Sequence, residues 1–203
     1  TRADEHQIND LLYYDSQAHR HLDWCGPLDW LGHPYYWVLE ENGHVNAALA
    51  CPQDPPGIAW MRLFAHGPYL SGPDAWSPLW ETARAEIISR GGATVAVISL
   101  QDSFQKILRA SDFTLLQSIV MLLWQGQRFI PLPLGAEFRL RKMDAADLPA
   151  VVEVDRYAFK PLWHNSRDAL SKAYSQALYA TIVEWNGQVT GYQITTGENE
   201  LVI

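Results

Sequence analysis

Hydrophobic positions along the chain change period in a regular order. After Asp4, residues Ile8, Leu11 and Leu12 recur at helical spacing, and Asp4 is placed to cap the helix they predict. Residues 37–49, Trp-Val-Leu-Glu-Glu-Asn-Gly-His-Val-Asn-Ala-Ala-Leu, read as two β-prone runs around Asn42-Gly43. Asn-Gly between such runs is a strong hairpin signal, because both central residues of a type I′ turn need positive φ. A strand over 58–65 is predicted after the turn at Asp54-Pro-Pro-Gly57, followed by a loop over 66–73 rich in Gly and Pro. Asp74 is placed to cap a helix running to Ser89, with Trp76, Leu79, Trp80, Ala83, Ile87 and Ile88 along one face and Gly91-Gly92 at its end. The β-branched run 94–100 predicts a strand buried on both faces. A shorter helix over 103–110 then leads into a predicted strand over 114–125.

The pattern then begins again. Residues 181–193, Thr-Ile-Val-Glu-Trp-Asn-Gly-Gln-Val-Thr-Gly-Tyr-Gln, align with 37–49 so that Asn42 meets Asn186 and Val45 meets Val189, an offset of 144. Upstream, Ala3-Asp4 aligns with Ala146-Asp147 at an offset of 143. Asp147 is the candidate cap of a second helix carrying Leu148, Val151, Val152 and Tyr157, and Pro149 falls in its first turn, where a missing N–H costs little. A strand with alternating faces over 138–143 precedes that helix, and its counterpart in the first copy is expected upstream of Thr1. Two prolines and a glycine over 127–135 read as an extended connection. The expected organisation is a first unit over 1–126 without its opening strand, a linker over 127–136, and the first half of a second unit over 137–203. The strand matching Trp60 to Phe64 is expected to begin again at 200–203.

Composition narrows the function classes. With 48% hydrophobic and 19% charged residues the chain has enough apolar side chains for a packed core. A net charge of −8 and the lack of a Lys/Arg cluster argue against nucleic acid, since Arg139-Leu-Arg141-Lys142 reads as the polar face of a strand. No apolar run reaches the ~18 residues a membrane span requires, and the first residues do not read as a signal peptide. Cys25 and Cys51 stand far apart without metal-ligand spacing, which predicts no metal and a reduced, cytoplasmic setting.

The order of elements and the residues quoted resemble the GCN5-related N-acetyltransferase (GNAT) family. Phe138-Arg-Leu-Arg-Lys-Met143, then Asp147-Leu-Pro149 and Asp155-Arg-Tyr-Ala-Phe159, look like its opening strand and helix, and 182–192 look like its second and third strands. The resemblance implies an α/β fold, with an acyl-CoA N-acyltransferase-like mixed sheet flanked by helices, in tandem units. It also implies transfer of an acetyl or other acyl group from acetyl-CoA to a small amine. In such a fold the pyrophosphate lies on backbone N–H groups after the fourth strand, and an N–H of that splayed strand polarises the thioester. Carried over to the first copy, Leu63, Phe64 and Ala65 become the acyl-side positions and Gly67, Ser71 and Gly72 the phosphate-loop positions for acetyl-CoA.

The match at those positions is incomplete. The family's Arg or Gln is missing from 66–73, Pro68 and Pro73 have no N–H to donate, and Leu108 stands where a thiolate-protonating tyrosine is expected, five residues before Phe113. No catalytic residue is assigned. The first copy therefore reads as a retained fold with an eroded site, and a working acyl-CoA site is expected after Ile203. Two functions stay open: an acetyl-CoA-dependent N-acetyltransferase, and a non-catalytic module that binds a ligand or shapes its neighbour's pocket.

Other candidate chemistry has a plainer reading beside it. His19 and His21 are spaced to opposite sides of a helix and read as solvated or loop histidines rather than a metal pair. His66 could serve as a base but reads first as a turn residue. Glu40, Glu41 and Glu184 flank the hairpins, as pocket acids or as solvated strand ends. Trp24, Trp30, Tyr35, Tyr36 and Trp37 could wall an acceptor site, although packing is the plainer role. G-x-S-x-G, P-loop and dinucleotide fingerprints are absent. The acidic balance favours a cationic acceptor, whose identity the sequence leaves open together with the oligomeric state.

Overall fold

The computed structural model describes residues 4–14, 18–122, 135–198 and 201–202. Both Asn-Gly turns form with positive φ, 53° and 79° at Asn42 and Gly43, 50° and 79° at Asn186 and Gly187. The first joins β2 (Tyr36–Glu41) to β3 (His44–Ala50), and the second joins β8 (Tyr179–Trp185) to β9 (Gln188–Thr195). The likeness goes further than the turn. Each hairpin carries a β-bulge, between Leu39 and Glu40 and between Val183 and Glu184, so the irregularity also recurs 144 residues on. The extra residues are Asn46 and Thr190, and such a residue turns its backbone out of the ladder.

Strand alternation divides the apolar residues of residues 4–122 between two layers. A four-stranded antiparallel sheet runs in the order β1 (His19–Arg20), β5 (Leu63–His66), β3, β2. Val45, Ala48, Ala50, Leu63 and Ala65 pack against Ile8 and Leu12 of α1 (Glu5–Tyr14). Ala47, Leu49 and Phe64 pack on the opposite side with α2 (Gly72–Ser89) and α3 (Asp102–Ala110). There Phe64 stacks on Phe104, with centroids 5.2 Å apart, and meets Trp76 edge-on at 5.3 Å. Alanines on β3 keep that strand thin, which leaves room for three large rings.

The expected strand over 58–65 is two strands, not one. β4 (Ile58–Trp60) runs parallel to β6 (Thr94–Ala96), whereas β5 pairs antiparallel with β3. The change of partner takes one residue: Met61 N–H donates to the Ala96 carbonyl at 2.9 Å, and Arg62 N–H to the Ala50 carbonyl at 2.8 Å. A continuous apolar run says nothing of such a change, because either partner accepts it. Parallel and antiparallel pairings together make the architecture a mixed α/β one.

Further boundaries differ from expectation. Ser71, not Asp74, caps α2, because Pro73 suits the first helical turn and Ser71 Oγ then accepts from Asp74 N–H at 3.3 Å. β6 ends at Ala96 rather than at residue 100. Residues 114–122 form no strand, and Leu115, Leu116, Val120 and Leu122 are exposed; β-propensity without a sheet edge to join does not make a strand. Residues 123–125 and most of the expected linker lie outside the described residues.

The later residues form a three-stranded antiparallel sheet in the order β7 (Phe138–Lys142), β8, β9. Asp147 stands at the N-cap position of α4 (Leu148–Ala158), as expected, but its carboxylate accepts from Asp144 N–H instead of from the helix, while Asp144 caps the 3-10 turn over Ala145–Asp147 that leads into α4. Val151 of α4, with Leu170 and Ala173 of α5 (Arg167–Ser175), packs on Met143, Ala180 and Ile182. At the end, β10 (Gly197–Glu198) pairs with β11 (Leu201–Val202).

Candidate functional site

The parting of β4 from β5 is the natural place to look for chemistry, since backbone groups lose their neighbours where strands diverge. Leu63, Phe64 and Ala65 are buried there, with β3 along one edge of their strand and β1 along the other: His19 faces Phe64 and Arg20 faces Leu63. His21 N–H extends the contact to the Arg62 carbonyl at 3.0 Å.

Part of the loop that follows has spent or lost its donors. Gly67 N–H donates to the Asn46 carbonyl at 2.8 Å, the group that the β3 bulge turns out, and Leu70 N–H donates to the Gly67 carbonyl at 3.3 Å. Pro68 and Pro73 have none. At the start of α2 the Ser71 hydroxyl donates to the Asp74 carboxylate at 2.5 Å, so this positive helix end already has its anion. Gly72 has His66 and Ile107 close by: an added Cβ would lie 3.0 Å from Ile107 Cδ1. Two prolines and the Asp74 carboxylate make this loop a poor cradle for the pyrophosphate of acetyl-CoA.

His19 and His21 are not the solvated pair the spacing suggests. His19 is 5% exposed, bonded through Nε2 to the Met61 carbonyl at 3.0 Å and set against the Phe104 ring. The short strand carrying it covers the outer edge of β5, and its side chain enters the core with it. Burial lowers the His19 pKa against the raising effect of Met61. Burial, with Arg62 and His19 nearby, brings His21 down to about 3, so its imidazole is neutral at physiological pH.

A cleft of about 460 Å³ opens beside this strand, between residues 4–122 and the later residues. Its walls include Trp24, Cys25, Asp54, Trp60, Arg62 and Trp163. Arg62 stands at the change of partner between β4 and β5. It is 7% exposed, ion-paired with Asp23, donates to the Asp54 carbonyl at 3.3 Å, and lies over the Trp30 ring at 5.4 Å. Burial lowers its pKa to about 10, which leaves it charged. Trp60 lies between the His21 ring at 5.0 Å and the Trp163 ring at 5.3 Å. Burial raises the Cys25 thiol, which also feels Lys172, Asp29 and Asp54. Lys172 is in turn ion-paired with Asp29 across the same junction.

The remaining candidates disperse. Glu40 and Glu41 are solvated at a strand end, whereas Glu184 accepts from Arg141 Nε at 2.8 Å. Trp37 donates to Glu86 and Tyr35 accepts from Gln53, both packing roles. Trp24 alone of the five aromatics lines the cleft, and Trp30 supports Arg62. His66 sits against the Phe64 ring, and Leu108 is buried in the core. No cluster of three metal-ligating side chains occurs among the described residues. Among them, no helix is long and apolar enough to cross a membrane. Sequence reasoning missed Arg62, Asp54 and Trp163. Arg62 left a signal, being a lone charge inside Ile-Ala-Trp-Met-Arg-Leu-Phe-Ala, where burial demands a partner.

No family model matches the sequence, and no curated protein matches it. Solved structures do align. A predicted acetyltransferase with acetyl-CoA from Clostridium acetobutylicum is 15% identical over 43% of this chain and 62% of its own, with a TM-score of 0.36. A protein from Thermus thermophilus is 15% identical over 46% of this chain and 73% of its own, with a TM-score of 0.34. A tandem GNAT protein from the clavulanic acid biosynthesis pathway, without acetyl-CoA, is 17% identical over 81% of this chain and 59% of its own, with a TM-score of 0.48. The chain thus spans less than two thirds of the Clostridium protein and of the tandem protein.

Proposed function

We propose that the protein is an N-acetyltransferase-like protein of tandem build, acting from acetyl-CoA on a small amine. In this reading residues 4–122 keep the acetyltransferase framework and shape the acceptor side, while acyl-CoA is held elsewhere than on their 66–73 loop. Support for the framework comes from the parting of β4 from β5 and from the hairpin whose turn and bulge both recur. One observation carries the supporting role: β5 is paired with β3 throughout and with β1 at Leu63 and Phe64, so at these two positions the strand on which the resemblance places the thioester is flanked on both edges. Acetyl-CoA would supply the activated acyl group. The chain's contribution is to bind and orient the amine.

The test is an assay of the whole protein with acetyl-CoA and a panel of primary amines, following thiol release. Amine-dependent release is expected, and Gly67→Ala and Ser71→Ala should move the KM for acetyl-CoA by less than about twofold. Absence of amine-dependent release across the panel would overturn the transferase reading. A rise of about tenfold in that KM, in a folded variant, would overturn the supporting role of this loop.

A further inference from the structure

We infer that the cleft walled by Trp24, Trp60 and Trp163 and bearing Asp54 binds a small protonated amine with an apolar body. This names the acceptor site of the proposed transfer, and it rests on that reading only for the fate of the bound amine.

Charge balance gives the sign of the ligand. Arg62 is matched by Asp23, and Lys172 by Asp29. His21 is neutral, held so by burial, and His164 is engaged with the Phe159 carbonyl at 2.8 Å. Asp54 is left without an ion-pair partner among the described residues, and its charge is felt at the Cys25 thiol on the same wall. One net negative charge therefore faces a cleft whose other surfaces are mostly apolar. A carboxylate or phosphate ligand would meet Asp54, while the two terminal nitrogens of the Arg62 guanidinium are taken by Asp23 and the Asp54 carbonyl and its Nε is buried out of the cleft's reach.

Ring faces and size give the rest. Tryptophan rings attract a cation through their quadrupoles, and Trp163 and Trp24 line the cleft beside the packed Trp60. A volume of about 460 Å³ lies within the range of small-molecule sites. Leu22, Ile98 and Phe159 supply surface for an apolar body. The chain's net charge of −8 draws cations toward it in the same sense.

The experiment uses three probes of one shape and three charges: phenethylamine, 2-phenylethanol and 3-phenylpropionate. Binding is read from tryptophan fluorescence without acetyl-CoA. Phenethylamine should bind saturably and at least about tenfold more tightly than the other two. Asp54→Asn should erase that preference, and Trp163→Leu should weaken the amine about fivefold while leaving the order of the three unchanged. Equal binding of the three probes by the unaltered protein, or none at about 10 mM, would sink the inference without recourse to any variant. Amine binding without acetylation supports the cleft and fails the transferase reading. Acetylation with an amine KM unmoved by Asp54→Asn does the reverse.

Discussion

Trp60 and Trp163 meet with ring centroids 5.3 Å apart at 47°, joining the end of β4 to the turn that follows α4. The pair comes from parts of the chain about a hundred residues apart, so the contact ties the β4–β6 pair to the later residues as well as walling the cleft. A double-mutant cycle of Trp60→Leu and Trp163→Leu in urea should return a coupling of about 0.5–1.5 kcal/mol. Additive effects would mean that the rings are neighbours without energetic consequence.

His19 and His21 set a pH dependence. Both are held below the ordinary histidine value in the folded protein, so the unfolded chain takes up their protons first. Stability is therefore full above the unfolded value of about 6.5 and falls as pH drops below it, by up to about 1.4 kcal/mol per unit for each histidine. For His21 the loss continues toward its folded value of about 3. His21→Phe keeps a ring against Trp60 and should flatten the slope between pH 6 and 4. Urea titrations across that interval that are equally steep for both proteins would contradict the buried, neutral imidazole.

Asp155 is fully buried and accepts three hydrogen bonds, from Asn165 N at 2.8 Å, Asn165 Nδ2 at 2.9 Å and Tyr192 Oη at 2.6 Å. Burial, then the bond to Asp155, raises the Tyr192 phenol and keeps it a donor. Asp155→Ala strands all three donors and should cost about 3 kcal/mol, whereas Tyr192→Phe removes one bond and should cost about 1 kcal/mol. Equilibrium unfolding distinguishes the two. Equal costs would show that the bonds to Asn165 carry little.

Arg141 grips Asp147 with two bonds of 2.7 Å and reaches Glu184 with a third. The guanidinium holds the Asp147 carboxyl below its ordinary range. The stabilisation is then present above the unfolded carboxylate value of about 3.9 and is lost as pH falls through the lower folded value. Arg141→Gln should lower the melting temperature at pH 7, with the gap to the unaltered protein closing toward pH 3. A constant gap would assign the effect to packing of the arginine stem instead.

Much of the frame was legible in the chain because it is locally encoded. Asn42-Gly43 and Asn186-Gly187 specify their own φ values, and the apolar spacing of α2 and α3 specifies its own buried face. β1 was not legible, since a two-residue strand has no periodicity; it exists because β5 has an edge to cover. α5 was also missed, a short helix whose buried residues, Leu170 and Ala173, matter only once β8 is there to meet them.

The site divides in the same way. That Pro68 and Pro73 have no N–H to offer could be read from the chain, because a residue without an N–H lacks a donor in any fold. That Gly67 spends its amide on Asn46, that His19 closes the edge of β5, and that Trp163 reaches Trp60 were decided by tertiary structure. Turns, caps and helical faces depend on residues a few positions apart, which the sequence determines by itself. Which strand edge is covered and which charge keeps no partner depend on segments far apart in the chain, and these are settled when the sheets fold against their helices.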